Sequence, residues 1–288
     1  LTNQNHVYGK EGNSFYFTVN DVPVFAKGSN WIPADIFTPR VSDADLYSLL
    51  SAAQLTNQNM VRVWGGGIYQ PDAFYDACDE LGLMVWEEIM FACALYPRDS
   101  DFLQLVTQEV TQQITRLQSH PSIAIWGGSN ENEVALTWFA ESETNPNLYV
   151  ADYTKLYLDT VRPAILAADP TGTAFVDSSP SNELVSDGDP YVKRWNDTGA
   201  YEYGDVHYYN YASDCEDYTT YPQARFVSEH GFQSFPSMDT YKHVIEAEDM
   251  SRDSDLLAYR QRHEGGNDQV EAMMARHFNV PPANATSE

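Results

Sequence analysis

Short apolar runs separated by longer amphipathic stretches set the rhythm of this chain. The runs "VFAKGSNW", "MVRVWGG", "LMVWEEI", "IAIWGGS", "TAFVDSS", "YGDVHYY" and "RFVSEHG" have apolar parts that are near-continuous rather than alternating. That pattern suits parallel strands buried on both faces. The stretches between them read as helices with legible ends. "SDADLYSLLSAAQ" offers Ser42 as N-cap and Asp45 at the capping-box position. "PDAFYDACDELG" starts at Pro71 and stops at Gly82. "DFLQLVTQEVTQQITRLQSHP" places Phe102, Val106, Val110, Ile114 and Leu117 on one stripe ahead of Pro121. "LYVADYTKLYLDTVRPAILAADP" is a further long helix, which Pro163 should kink or split.

Strand and helix alternating at about 30 to 45 residues per unit predict an α/β fold with right-handed crossovers. Seven such units favour a (β/α)8 barrel, of the TIM type, over an open sheet. No glycine-rich phosphate fingerprint follows the first strand, which weakens a dinucleotide-binding alternative. Ahead of the first barrel strand, "SFYFTVNDVPVFAKG" alternates and turns at Asn20-Asp21, a hairpin placed to plug the barrel bottom. The expected division is a lead-in over 1–14, one barrel domain over 15–280 and an exposed loop or cleaved end over 281–288.

Composition narrows the function classes. The 288 residues carry 42 Asp+Glu against 16 Lys+Arg, a net charge of −26. Such a surface repels phosphate backbones, so nucleic acid is excluded as a partner. No apolar run approaches the ~20 residues that span a bilayer. Three cysteines are too few for a disulfide scaffold. Cys78 has helical core spacing, while Cys93 and Cys215 lie in loops and could pair. Sequons at Asn196 and Asn284 point to the secretory pathway, and hence to a secreted or lysosomal/vacuolar glycoprotein. The 6 Trp, 19 Tyr and 13 Phe supply core, and also the flat rings that cover apolar sugar faces.

Polar residues gather where the strands end: Trp31 and Asp35, Arg62 and Trp64, Glu87 and Glu88, Asn130 and Glu131, His207 and Tyr209, Glu229 and His230. In a barrel that rim builds the active site. Glycoside hydrolysis needs two carboxyl groups, one to donate a proton and one to attack. Glu131 and Glu229 end two different strands and would share one mouth. The plainer alternatives are a solvated helix start for Glu131 and a structural ion pair for Glu229. Glu133 reads as a solvated helix start. Of Glu87 and Glu88, neighbours on one strand, only one can face the barrel axis, in support of an arginine such as Arg62. HExxH, CxxC and GxSxG motifs are lacking, so no metal or cofactor is expected and serine hydrolysis is disfavoured.

The stretches "FAKGSNWIPAD", "NMVRVWGGGIYQPDAFYDACDELGLMVWEEIMFACALYP", "SHPSIAIWGGSNENE", "YGDVHYYNY" and "RFVSEHGFQSFPS" resemble glycoside hydrolase family 2. Within it they resemble the β-mannosidases of lysosomal and fungal type. The resemblance runs from Phe15 to about Pro281 and implies a retaining, exo-acting hydrolase of terminal β-D-mannose on manno-oligosaccharides or N-glycan remnants. It implies Glu131 as acid/base and Glu229 as nucleophile, with Asn130 on the sugar 2-hydroxyl. Trp64 and Arg62 would line the sugar subsite, Tyr209 would bond the nucleophile and His207 would sit beside it. Trp31, Asp35 and Trp138 are carried over as further substrate contacts. Another family 2 exo-glycosidase, or a silent sugar-binding barrel, are the competing readings.

Three expectations follow. The two carboxyl groups should lie about 5 to 5.5 Å apart, as retention requires. Burial and the Glu229 charge should raise the pKa of Glu131, while Tyr209 and an arginine keep Glu229 ionised. The family's flanking β-sandwiches and eighth strand are missing, the strand being due after Asn279-Val280. The chain therefore reads as a trimmed or excised fragment, held by the remainder of a longer polypeptide.

Overall fold

The computed structural model describes residues 12–182, 198–251 and 254–280. Asn196 and Asn284 lie outside them. The described residues form two compact units, one of 12–207 with 223–229 and one of 208–222 with 230–280.

The first unit opens with the expected hairpin. β1 (Phe17–Val19) pairs antiparallel with β2 (Val22–Val24). Asn20 and Asp21 both take positive φ, 51° and 63°, as a tight two-residue hairpin turn demands. Five strands then form one parallel sheet in sequence order: β3 (Gly28–Trp31), β4 (Met60–Val63), β5 (Met84–Glu88), β6 (Ile123–Gly127) and β7 (Phe175–Val176). β8 (Val206–Tyr208) and β9 (Val227–His230) pair separately. All seven runs read from the sequence are thus strands, in an α/β fold whose main sheet is parallel.

The helices form where their ends were legible. α1 (Asp43–Leu55) has the complete Ser42–Asp45 capping box. α2 (Asp72–Leu81) follows Pro71 and stops at Gly82, whose φ of 70° suits a residue without Cβ. α3 (Ser100–Leu117) buries Val106, Val110, Ile114 and Leu117. After the short α4 (Ala140–Thr144), α5 (Pro146–Tyr153) runs through a π-helical stretch, Thr154–Val161, into α6 (Arg162–Ala168). The disturbance expected from Pro163 takes this form. The proline lacks an N–H, and the turns ahead of it widen instead of breaking.

Both faces of the sheet are covered over β4 to β7, while Gly28, Ser29 and Asn30 of β3 are exposed. On one, Val61, Val63 and Val85 meet Leu50, Phe74, Val110, Ile114 and Tyr157 of the helices. On the other, Met60, Trp86, Ile125 and Val176 meet Phe15 and Phe17 of the hairpin segment. Each fully buried side chain of this size contributes about 1.5–3 kcal/mol. Near the strand ends the second face turns polar, and the site begins there.

The second unit carries α7 (Met238–Tyr241), α8 (Asp255–Arg260) and α9 (Gly266–His277), the first two capped by Ser237 and Ser254. Tyr211 packs edge-on against Phe232 and His263, and Arg276 donates to the Ala212 carbonyl at 2.7 Å. Cys78, Cys93 and Cys215 are all free thiols, which corrects the possible pairing of Cys93 with Cys215. Among the described residues no helix is long and apolar enough to cross a membrane.

Candidate active site

Arg62 organises the cluster. It lies on β4, with its side chain only 4% exposed. Its Nε and Nη2 donate to Glu88 Oε1 at 3.0 and 2.6 Å, and its Nη1 donates to Glu229 Oε1 at 2.6 Å. Nη1 and Nη2 also donate to Asn30 Oδ1 at 2.7 Å and Asn130 Oδ1 at 2.8 Å. Burial works against the guanidinium charge, but Glu88 and Glu229 outweigh it and push its pKa up. A buried charge is tolerable when paired and bonded this fully. Arg62, expected among the sugar contacts, therefore spends its donors on protein acceptors.

Glu87 and Glu88 separate as strand geometry requires. Glu88 faces Arg62, with its Oε2 accepting the Gly65 N–H at 2.8 Å. Glu87 faces the helices and accepts the Tyr75 hydroxyl at 3.0 Å. Burial pushes its pKa well above the ordinary carboxylate range, which favours the neutral acid.

Glu131 follows β6 at the end of "GGSNE". Its backbone N–H donates to Ser179 O at 2.8 Å, and its φ is 61°, unusual for a residue with a Cβ. Such backbone persists where surroundings over-determine it, often at functional sites. Here Asn130 bridges Ala92 on one side and Ser179 on the other, clamping the segment between the continuations of β5 and β7.

His207 on β8 stands between the two carboxylates. Its Nδ1 lies 2.7 Å from Glu131 Oε1 and 3.4 Å from Glu229 Oε2. One carboxylate oxygen of Glu131, one of Glu229 and a His207 ring nitrogen all lie within 4.8 Å of one another. The Ser179 hydroxyl donates to Asp205 Oδ2 at 2.6 Å, so its oxygen accepts from His207 Nε2 at 3.1 Å. That assigns Nε2 as a donor and leaves Nδ1 to share a proton with Glu131. Buried Asp205 accepts from Ser179, Ser228 and both the amide and the hydroxyl of Ser181.

The pKa of Glu131 runs opposite to expectation. Burial does push it up, but the hydrogen bond and charge of His207, the Cys93 thiol and Arg62 together hold it below the ordinary value. Sequence could not supply the 2.7 Å contact that reverses the sign. Glu133, read as solvated, is only 3% exposed.

The other expected contacts are scattered. Trp64 is half-buried, its ring lying over Gly66, where a Cβ would stand 2.0 Å from the indole. Trp138 is 47% exposed after a short 3-10 turn, Val134–Thr137. Tyr209 is 49% exposed and belongs to the second unit. Trp31 is not brought to the cluster: it points to the helix side, its ring 4.9 Å from that of Phe74. Asp35 is engaged with Arg40 in a two-bond pair at 2.6 and 2.9 Å. Sequence reading missed Asn30, Cys93, Ser179, Asp205 and Ser228. Of these, only Asp205 carried a signal, sharing a strand face with His207 two residues on. Two further groupings of metal-ligand types, Asp76–Asp79–His120 and Asp214–Cys215–His277, lie away from these residues in sequence.

No family model matches the chain. It is 46% identical over 277 residues to a β-mannosidase of Rattus norvegicus, covering 96% of this chain and 31% of that protein. It is 39% identical to β-mannosidase A of Emericella nidulans, covering 88% of this chain and 28% of that protein. The crystal structure of a β-D-mannosidase from Dictyoglomus thermophilum superposes with a TM-score of 0.80 at 33% identity, over 98% of this chain and 33% of that one. The chain thus spans about a third of the length of the relatives it matches. Over almost its whole length, this chain is a homologue of the β-mannosidases.

Proposed function

We propose that this chain carries the reacting groups of a retaining, exo-acting β-mannosidase, with its strands part of a (β/α)8 barrel. The observation that carries the reading is the approach of the Glu131 and Glu229 carboxylates within 4.8 Å, on a chain with β-mannosidase relatives. Retaining pairs stand about 5–5.5 Å apart, whereas inverting pairs leave roughly 6.5–9.5 Å for a water.

In the first step a Glu229 oxygen attacks the anomeric carbon while Glu131 gives its proton to the departing glycosidic oxygen. The product is a mannosyl ester of Glu229 and a free alcohol. In the second step Glu131 takes a proton from water, whose oxygen displaces Glu229, and mannose leaves with its configuration retained. Arg62 is a positioning residue whose Nη1 bond aims the Glu229 carboxylate. His207, with Nε2 fixed by Ser179, shares with Glu131 the proton that the first step spends. Asn130 takes the sugar 2-hydroxyl, and Trp64 and Trp138 offer rings to the sugar. The sequons at Asn196 and Asn284 fit a secretory-pathway protein, which a mass shift on deglycosylation would register.

The test is a panel of nitrophenyl glycosides on the intact protein, with the product anomer followed by NMR. β-Mannoside hydrolysed with retention supports the proposal. Preference for a glucuronide, galactoside or glucosaminide moves it to another exo-glycosidase. Binding without turnover leaves a silent sugar-binding protein.

A further inference from the structure

The thiol of Cys93 stands among the reacting groups, and neither the hydrolytic steps above nor the sequence motifs use it. Its Sγ lies 3.3 Å from Glu131 Oε2 and 3.3 Å from Asn130 Nδ2. The direction of each bond can be assigned. A guanidinium only donates, so the Asn130 atom 2.8 Å from Arg62 Nη2 must be the amide oxygen. That turns the amide nitrogen toward Cys93, where it donates to sulfur. The single thiol proton is then left to point at Glu131.

We propose that Cys93 is a positioning residue for Glu131, the last link in a one-way chain of donors running from Arg62 through Asn130. The inference rests on Glu131 being the acid/base of the proposed hydrolysis. Arg62 so reaches both carboxylates, Glu229 directly and Glu131 through two neutral relays.

The surroundings fit a donor rather than a nucleophile. Burial and the adjacent Glu131 charge push the Cys93 thiol up to about 12, so it keeps its proton. The residue is placed at a conformational cost, with a φ of 51° outside the usual range for side chains. Two contacts hold it there: its own N–H donates to Asn130 O at 2.9 Å, and the Ala92 N–H donates to the Tyr96 hydroxyl at 3.1 Å. The outcome is a carboxyl gripped at both oxygens, Oε1 by His207 and Oε2 by Cys93. Grip at both oxygens fixes the side-chain torsion, which aims a proton at the leaving group. The charged and titratable groups facing Glu131 are His207 from β8, Glu229 from β9, Arg62 from β4 and Cys93 itself.

The experiment compares Cys93→Gly with Cys93→Ser in the intact protein. Glycine accepts the positive φ, so the loop can still form while the donor is lost. Serine restores a donor with a slightly shorter reach. For Cys93→Gly, kcat/KM on a β-mannoside with a poor leaving group should fall about tenfold, as loss of one hydrogen bond to a charged group implies. An activated aryl β-mannoside should be nearly unaffected. The descending limb of the pH profile should move to higher pH, because the ionised form of Glu131 has lost a donor. Cys93→Ser should recover most of both effects. Equal loss on the two substrates with an unmoved limb, or serine no better than glycine, overturns the proposal. Direct titration of the Glu131 carboxyl by carbon-13 NMR gives a readout without turnover. An inactive protein whose Glu131 titration still moves in Cys93→Gly refutes the hydrolase reading and keeps the link. An active protein whose titration does not move refutes the link alone.

Discussion

The two faces of the parallel sheet carry the same strands into opposite environments. On the helix side, Val61, Val63 and Val85 sit in continuous apolar packing, and burial pushes Glu87 toward its neutral form. On the other side, Arg62 and Glu88 occupy the next positions along, also almost fully buried, yet form a charged network with Glu229. Burial pushes both glutamates up, and at Glu88 the bonded Arg62 guanidinium and the Gly65 N–H oppose it.

Substitutions can test that contrast, beginning with the most severe. Glu229→Gln keeps the shape and removes the nucleophile, so turnover of β-mannosides should drop on the order of 10⁴-fold or more. Retained activity at a tenth of the original rate would move the nucleophile elsewhere. Glu131→Ala should cost about 10²–10⁴-fold on substrates with poor leaving groups and far less on activated aryl mannosides. Equal losses on both substrates would remove Glu131 from its role as proton donor.

Arg62→Met takes the counter-charge from Glu88 and Glu229 while filling similar volume. Stability should fall by about 3–5 kcal/mol, read as a lower denaturation midpoint. A midpoint unchanged from the parent would show that the polar face does not depend on Arg62. The smallest effect belongs to Glu87→Gln, which replaces an already neutral group and should change stability by under about 1 kcal/mol. It should also alter the pH dependence. With a raised pKa in the fold, Glu87 keeps its proton after the unfolded chain has lost it near pH ~4.3, so stability falls as pH rises above that value. The glutamine variant should lose less stability between pH 5 and 7 than the parent. An equal loss in the two proteins would show that Glu87 is ionised in the fold.

Much of the fold was legible because local chemistry dictates it. The capping box at Ser42, the stop at Gly82 and the turn at Asn20-Asp21 each need only a few neighbouring residues. The near-continuous apolar runs announced a sheet buried on both faces, and it is so over β4 to β7, while β3 is mostly exposed. Trp31 shows where such reading stops. Neighbours on one strand face opposite sides, and a slip of one residue exchanges them. Asn30, not Trp31, reaches Arg62, because β3 and β4 align in that register.

What the sequence determined by itself was the strand–helix rhythm, the acidic surface and the resemblance that singled out Glu131 and Glu229. Those properties depend on residue types at short spacing, where propensity and periodicity act. Tertiary structure alone decided the roles of Arg62, Cys93 and His207 and the sign of the shift on Glu131. Bonds of 2.6 to 3.3 Å join residues between 37 and 167 positions apart. Electrostatic effects of that strength fall away within a few ångströms, so no spacing along the chain can reveal them.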